Sequence, residues 1–442
     1  MRIFLKIGFL FFAIVIGISS NAQSNDSLWT LSKCIDYAMQ KNISIQQKAL
    51  SNETNRIDVE QTKAMRFPSL SASVSQNFGW NRDLVNNSYG SYSESNGTNY
   101  GVNSSVKLYN GFKTTYNIKQ SELSYQAGSY DVDALKESIS LSLLDAYLQV
   151  LYSEELVKNA KKQIESTTQQ LNLSEVRLRI GSISRSDYLQ VKSELASENL
   201  TLANAQNQLA LNSVTLMQLM DYPLTDSFRI VHPDMVINEA LSLNLNSDSV
   251  FNQASAIKPQ VKSAELNKQI AGLGIAVAKA GYQPTLSLNG ALSSNYNSGF
   301  DFAYGYQVKN KINPTIGLTL SIPIYQNKLL SSNVAIAKIN SANAELSAMN
   351  VKNQLRKAIE QVCVNVQSAF VKYQASIEKF NSIQESFNVA QEKYNQGLLS
   401  SVDFLIQKTN LITAESDLLQ SKYNLVFSQK ILDFYKGIPL SL

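Results

Sequence analysis

The chain has 442 residues, of which 44% are hydrophobic and only 17% are charged, below the roughly 25% of charged residues in typical soluble domains. Its length allows two to three ordinary domains, and its net charge of +4 is not concentrated in the basic clusters that nucleic-acid binding requires. A single histidine, His232, and two cysteines argue against zinc fingers, iron–sulfur clusters and histidine-based catalytic triads. The composition therefore predicts no enzyme, no cofactor, no metal site and no nucleic-acid partner.

Residues 1–22 have the pattern of a secretory signal peptide. Arg2 and Lys6 supply its positive charge, and the apolar run at 7–18 is shorter than the roughly 20 residues that a membrane-spanning helix needs. A small-residue cleavage site follows at 20–22. We expect export from the cytoplasm, with an uncleaved membrane anchor as the alternative.

The two cysteines raise the question of a disulfide in an exported chain. Cys34 and Cys363 lie 329 positions apart, and no framework of regular cysteine spacings surrounds them. We expect two small buried thiols on helices. A disulfide stays open as the alternative, because sequence does not show whether two Cα atoms lie close enough for the bond.

The sequence repeats itself at an offset of 216 positions, without a gap. The matching landmarks are Pro68 with Pro284, Tyr109 with Tyr325, Gly181 with Gly397, Asp187 with Asp403, and Pro223 with Pro439. A constant offset over separated landmarks predicts a tandem duplication. We predict one structural repeat at 23–223, a connector at 224–244 and a second repeat at 245–442.

Each repeat begins with a helix that leads into a strand hairpin. The hairpins are predicted at 68–110 and 284–325, where apolar residues alternate with serine, threonine and asparagine. Strands of about 10 to 13 residues with one apolar and one polar face are typical of membrane β-barrels. Long polar loops are expected at 81–99 and 297–311, and an amphipathic sheet over a soluble core is the alternative. Aromatic residues expected at the membrane interfaces are Trp80, Tyr100 and Tyr296.

Four strands are too few to close a barrel on their own. An open sheet edge cannot face lipid, because its backbone groups would lack hydrogen-bond partners there. The chain must therefore contribute its strands to a shared barrel. Three copies would supply 12 strands, which is within the size range of outer-membrane barrels.

Two very long helices follow the hairpins, at about 113–179 and 328–396, where the sequence has no proline. A helix of that length spans about 100 Å. A second helix follows each of them and carries large side chains at intervals of seven residues, which are Tyr188, Leu195, Leu202, Leu209 and Leu216 in the first repeat and Phe404, Leu411, Leu418, Leu425 and Leu432 in the second. This spacing predicts left-handed coiled-coil packing, although an ordinary helical bundle has the same local pattern.

The turn between the two long helices has the same chemistry in both repeats. A glycine suits the left-handed position that ends a helix, and a serine three residues later suits the N-cap of the next helix. An aspartate three residues beyond the serine completes a variant of the capping box and interacts favourably with the helix dipole. These residues are Gly181, Ser184 and Asp187 in the first turn and Gly397, Ser400 and Asp403 in the second.

These features together resemble the TolC-like outer-membrane efflux family along the whole mature chain. The resemblance rests on the duplicated order of elements and on short motifs, which are LSKCIDYA at 31–38, Asn42, Pro68, Pro284, LYNGF at 108–112, PIY at 323–325 and the two glycine-containing turns. It implies a mainly α fold with a β-barrel part. Each protomer would contribute a tandem-duplicated pair of long coiled-coil hairpins to a helical barrel, and four strands to a 12-stranded trimeric barrel in the outer membrane of a Gram-negative bacterium, extending into the periplasm.

The resemblance also implies a function, partners and site residues. The protein would be a passive export duct of a tripartite efflux or secretion system. Its partners would be two further copies of itself, outer-membrane lipid, a periplasmic adaptor protein and an inner-membrane pump of the RND, ABC or MFS type. Asp187 and Tyr394 match positions whose hydrogen bonding helps to close the periplasmic tip, and Asp403 matches an acidic ring at the aperture. The adaptor would dock on the turns, at Gly181, Ser184, Gly397, Leu398 and Ser400.

Two positions depart from the pattern of some family members. Leu399 stands where a basic residue completes the gate, and Ile406 stands where a second acidic ring would lie. We therefore expect a gate held more by apolar contact, with Arg185 as a candidate for pairing with an acidic neighbour. The alternative function is a structural or adhesive stalk, anchored by the barrel and without a transport path.

Overall fold

The computed structural model describes residues 28–85, 88–224, 228–233, 237 and 245–442, with side chains outside 81–93. The expected signal peptide at 1–22 and much of the expected connector at 224–244 lie outside the described residues. Among the helices of the described ranges, none carries an apolar stretch long enough to cross a membrane.

The described elements follow the same order twice. The first set is α1 (Leu31–Lys41), α2 (Ile43–Ala64), β1 (Ser69–Val85), β2 (Ser88–Tyr109), α3 (Lys113–Arg179) and α4 (Arg185–Leu219). The second set is α5 (Ser247–Ile257), α6 (Pro259–Ala280), β3 (Thr285–Asn297), α7 (Tyr304–Asn310), β4 (Asn313–Ser321), α8 (Leu329–Asn395) and α9 (Ser401–Tyr435). Helices α1 to α4 recur as α5, α6, α8 and α9, with both ends displaced by 216 positions. The repeat boundaries at 23–223 and 245–442 stay a prediction.

The four strands form one antiparallel sheet in the order β1-β2-β3-β4. Alternation sends one row of side chains to each face, and the apolar row on β1, with Leu70, Val74 and Phe78, is largely exposed. The apolar row of β4 is exposed as well, at Ile316, Leu318 and Leu320. Within the described chain, β1 and β4 each have one edge without a partner strand.

The prediction of a loop at 81–99 is wrong. β1 continues to Val85, β2 begins at Ser88, and the two strands pair from Ser69 opposite Ser105 to Val85 opposite Ser88. Polar and glycine-rich composition suggested a loop, but the antiparallel ladder is made by backbone groups, which any residue except proline supplies in full.

The loop expected at 297–311 contains the short helix α7. Gln307 holds it in place from a buried position, because its side-chain amide donates to the carbonyls of Phe302 (2.8 Å) and Asn297 (3.1 Å). Its carbonyl oxygen accepts from the Asn297 backbone amide (3.2 Å). One side chain thus satisfies several backbone groups of the segment. The periodicity of hydrophobic residues does not reveal such contacts.

The long helices α3 and α8 have 67 residues each and so span about 100 Å. Helix α2 packs on α3, α6 lies between α3 and α8, and towards the turns α4 packs on α3 and α9 on α8. All ten side chains at seven-residue intervals on α4 and α9 are buried or half-buried, which confirms the predicted packing seams. Helix α9 also contacts α3 and α4, so the two helical hairpins touch within one chain.

The principal core lies where α1 meets the middle of α3. Tyr147, almost fully buried, donates its hydroxyl to the carbonyls of Val231 (2.7 Å) and Trp29 (3.0 Å). Cys34 is buried in this core, where burial raises the pKa of its thiol to about 12, and Cys363 is buried in a second cluster. Both cysteines are free, as predicted. His232 lies at the surface, with Nε2 2.6 Å from Glu154 Oε2.

The hairpin turns as candidate functional site

The two turns between the long helices have the same backbone geometry. Gly181 and Gly397 adopt left-handed conformations, with φ of +74° and +76°. The amide of Ser182 donates to the carbonyl of Arg177 and that of Leu398 to the carbonyl of Lys393, both at 2.8 Å. These bonds form a Schellman motif in each turn. Glycine is favoured there because a side chain would be strained at this φ, so the predicted left-handed position of both glycines is confirmed.

The serine and aspartate of each turn cap the next helix as expected. Ser184 Oγ accepts from the Asp187 amide (3.1 Å), and Asp187 Oδ2 accepts from the Ser184 amide (3.2 Å), which completes a reciprocal capping box. In the second turn, Ser400 Oγ accepts from the Asp403 amide (3.1 Å) and donates to Asp403 Oδ2 (2.7 Å). Asp403 is exposed beside Leu399 in a groove between α8 and α9.

The Asp187 carboxylate lies where the two turns meet. The Ser184 hydroxyl, chiefly, holds the pKa of Asp187 below its usual range, and the Ser184 amide and the Ser401 side chain act in the same direction. Ser401 is the first residue of α9, so Asp187 interacts with the second turn, where α9 begins. A carboxylate with these donors stays ionised in all but strongly acid conditions.

Tyr394 is buried in the last turn of α8, under the start of α9. Its ring stacks on Phe404 with centroids 4.5 Å apart and an interplanar angle of 20°, and Phe404 also lies against Phe387 at 5.6 Å. Within the described chain, the buried Tyr394 hydroxyl has no hydrogen-bond partner. The tyrosine and Asp187 are therefore not hydrogen-bonded within one chain, and their joint role in closing the tip stays a proposal.

Arg177 contacts the second turn and was missed by the sequence reasoning. Its Nη2 donates to the carbonyl of Asn395 (3.0 Å), one of the carbonyls left free at the end of α8, and its guanidinium lies 5.6 Å from the centre of the Tyr394 ring. Arg185, suggested as the pairing residue, forms no ion pair among the described residues. A basic residue in the last turn of a long helix was a visible signal, but the helix end that it reaches depends on tertiary packing.

A buried ion pair above the turns was also missed. Lys408 of α9 donates from Nζ to Glu198 Oε1 of α4 (2.7 Å) and to Thr167 Oγ1 of α3. The side chains of Lys408 and Glu198 are only 7% and 6% exposed. The three residues join one hairpin to the other, at positions separated by more than 200 residues in the chain.

Comparison with known proteins decides the family. The family model described as "Outer membrane efflux protein" matches residues 34–221 and again residues 250–437. The chain belongs to this family. The two matches begin and end 216 positions apart, which is the offset found in the sequence and in the helices.

Named relatives agree with this assignment. The chain is 29% identical to the outer membrane protein TolC of Vibrio cholerae over 198 residues, or 42% of each chain. It is 20% identical to the outer membrane efflux protein BepC of Brucella suis over 259 residues, or 59% of this chain and 54% of BepC. The matches thus span about half the length of these curated relatives.

Solved structures of similar fold cover most of this efflux-family chain. A CusC structure matches with a TM-score of 0.77 at 19% identity, over 93% of this chain and 92% of CusC. The CmeC outer membrane channel of Campylobacter jejuni matches with a TM-score of 0.75 at 20% identity, over 92% and 85%. The expected fold class, long helices with a part made of four strands, is confirmed. Family membership places the chain in the outer membrane of a Gram-negative cell, with its helices extending into the periplasm.

Proposed function

We propose that this efflux-family chain is the outer-membrane channel of a tripartite efflux or secretion system. It would act as a passive duct for export across the periplasm and the outer membrane, with the driving energy supplied by an inner-membrane pump. The observation that carries the proposal is the double match to the outer membrane efflux family. We keep the prediction that the protein is not an enzyme and needs no cofactor. The relatives support a channel rather than the stalk considered as the alternative.

Uncovered edges of the chain support the assembly of several copies. On one side lie the free edge of β1 and helix α2, whose Ile43, Leu50 and Ile57 are more than half exposed at intervals of seven residues. On the other side lie the free edge of β4 and helix α8, which exposes a similar apolar stripe at Leu329, Ile336, Ile339 and Leu346. Exposed stripes of this kind need a covering surface.

The two stripes lie on helices at opposite ends of the layer α2-α3-α6-α8. An interface between unlike edges repeats from copy to copy, and it closes into a ring when the rotation allows. Three copies would bring 12 strands and pair every strand edge, as the absence of water in the membrane requires. We therefore propose a homotrimer surrounded by outer-membrane lipid, with Trp80, Tyr100 and Tyr296 at the membrane interfaces.

We assign gating to the turns, at the end of the helices distant from the strands. Asp187 and Tyr394 would take part in closing the tip, and Asp403 would form an acidic ring that attracts cations. A periplasmic adaptor would dock on the turns, at Gly181, Ser184, Gly397, Leu398 and Ser400. The exposure of Leu398, at 72%, supports this assignment. The pump would be of the RND, ABC or MFS type.

Mass measurement and single-channel recording test this function. The protein purified in detergent should have the mass of a trimer and should give a small, cation-preferring conductance in a planar bilayer. Conductance should rise in the double variant D187N/Y394F, and cation preference should fall in D403N. An oligomer that never conducts, even with both turns altered, would contradict the channel and favour the stalk.

A further inference from the structure

The buried pair of Lys408 and Glu198 is an unusual feature of the region where the two hairpins meet. Lys408 lies seven residues into α9, about 10 Å from its start. The ammonium group contacts Glu198 of α4 and Thr167 of α3, whose hydroxyl in turn donates to the carbonyl of Gln163 (3.0 Å). Both helices of the first hairpin thus hold one side chain of the second.

Stability alone does not explain this pair. Two charges taken out of water lose their hydration, and well-packed apolar residues of similar size usually serve as well or better. Here Glu198 Oε2 is also buried without a hydrogen-bond partner in the described chain, so the cluster is only partly satisfied. Buried polar groups of this kind are best attested where they specify one alignment of helices over another.

The internal duplication shows that the cluster is specific to this contact. At the offset of 216 positions, Lys408 corresponds to Lys192, which is exposed. Glu198 corresponds to the buried Ala414, and Thr167 corresponds to Ile383. In the described chain the cluster therefore has no counterpart at the corresponding positions of the other repeat, and its ion pair joins the two hairpins.

A second cationic contact joins the same two hairpins nearer to the turns. Arg177, close to the end of α3, donates to the carbonyl that ends α8. Two contacts at different heights fix both the position and the tilt of one helical hairpin relative to another, whereas one contact would leave the tilt free.

We propose that Lys408 is a positioning residue which, through Glu198 and Thr167, holds the hairpin α8/α9 in its present alignment on the hairpin α3/α4, with Arg177 as the second point of attachment, and that this alignment is the closed state of the proposed gate. The inference rests on the proposed function for its consequence, the conductance of the channel. The alignment itself is a property of the fold and is measured separately.

The test combines distance measurements between the two turns with single-channel recording. Spin labels at S182C and Q396C, one in each exposed turn, report the spread of distances between the turns in the full-length protein in detergent. The variants are K408M, E198Q, the apolar double variant K408M/E198M and the reversed pair K408E/E198K. K192M is the matched control, because it removes the corresponding lysine of the other repeat.

We expect K408M, E198Q and the apolar double variant to broaden the distance distribution and to raise single-channel conductance several-fold. The reversed pair should restore both, because the hydroxyl of Thr167 can donate as well as accept. K192M should match the unmodified protein. The apolar double variant guards against loss of folding, since replacing both charges avoids an unpaired buried ion.

Two outcomes separate the inference from the proposed function. A double variant K408M/E198M with unchanged distances and conductance would overturn the positioning role. If the unmodified protein never conducts, the channel function fails, and the distance distributions still decide whether Lys408 sets the alignment.

Discussion

The two hairpins have the same backbone and different surroundings. Both turns close with a left-handed glycine and a serine cap at the same offset, because these local bonds need only a few neighbouring residues. Around the second turn, however, the C-terminal end of α8 packs in an aromatic stack. The stack consists of Phe387, Tyr394 and Phe404. The first turn has Leu171, Leu178 and Tyr188 at the corresponding positions. Local chemistry was duplicated, and the packing around it diverged.

The direction of this divergence is informative. The first hairpin supplies Arg177, Thr167 and Glu198, and the second is the hairpin that they contact. A symmetric pair of hairpins would offer no reason for one to be held by the other. This difference supports our proposal that the alignment of α8/α9 on α3/α4 matters for the proposed gate.

The largest effect is expected from breaking the buried pair on one side only. Lys408→Ala leaves the Glu198 carboxylate buried without its counter-charge, which costs about 3–5 kcal/mol. Thermal unfolding followed by circular dichroism in detergent measures the loss. Lys192→Ala should change stability by less than about 0.5 kcal/mol, because that lysine is exposed. Equal losses in the two variants would remove the proposed asymmetry.

The second-largest loss of stability is expected from truncation of the aromatic stack. Tyr394→Ala removes a buried ring between Arg177 and Phe404, at a cost of about 3 kcal/mol. Tyr394→Phe should be nearly neutral in the isolated protomer, because its buried hydroxyl has no partner within the described chain. A large loss for the phenylalanine variant in the proposed trimer would show that the hydroxyl pairs across a subunit boundary.

The serine caps should show a smaller difference between the two turns. Ser184→Ala removes a reciprocal capping box, and we expect a loss of about 1 kcal/mol. Ser400→Ala removes a cap that lacks the bond from the serine amide among the described contacts, so its loss should be smaller. Hydrogen exchange at the first turns of α4 and α9 measures both. A greater loss at Ser400 would mean that contacts outside the cap dominate.

The smallest effect on stability is expected from lowering the pH. The folded pKa of Asp187 lies below its ordinary value of 3.8, so its contribution to stability is complete above that value and is lost as the pH falls through the lowered pKa. The melting temperature should therefore fall in acid, and Asp187→Asn should show a shallower fall. The matching variant Asp403→Asn serves as the comparison. Identical acid profiles for the unmodified protein and Asp187→Asn would argue against the role of these bonds.

Much of the fold could be predicted because it depends on regular spacing. The long helices were placed to within one residue of their observed bounds, since proline is absent and the turns carry their own capping residues. The prediction failed for 81–99, where polar residues continue a strand pair. The polar composition suggested a loop, whereas the pairing is made by the backbone.

The sequence by itself determined the duplication, the two hairpins and the caps of both turns. Each of these follows from residues close together in the chain, or from an offset that can be counted. Only the tertiary structure decided that Arg177 rather than Arg185 reaches the second turn, that Tyr394 stacks on Phe404, and that Lys408 is buried against Glu198. These contacts join distant segments, and they depend on how two hairpins pack side by side, which no local spacing records.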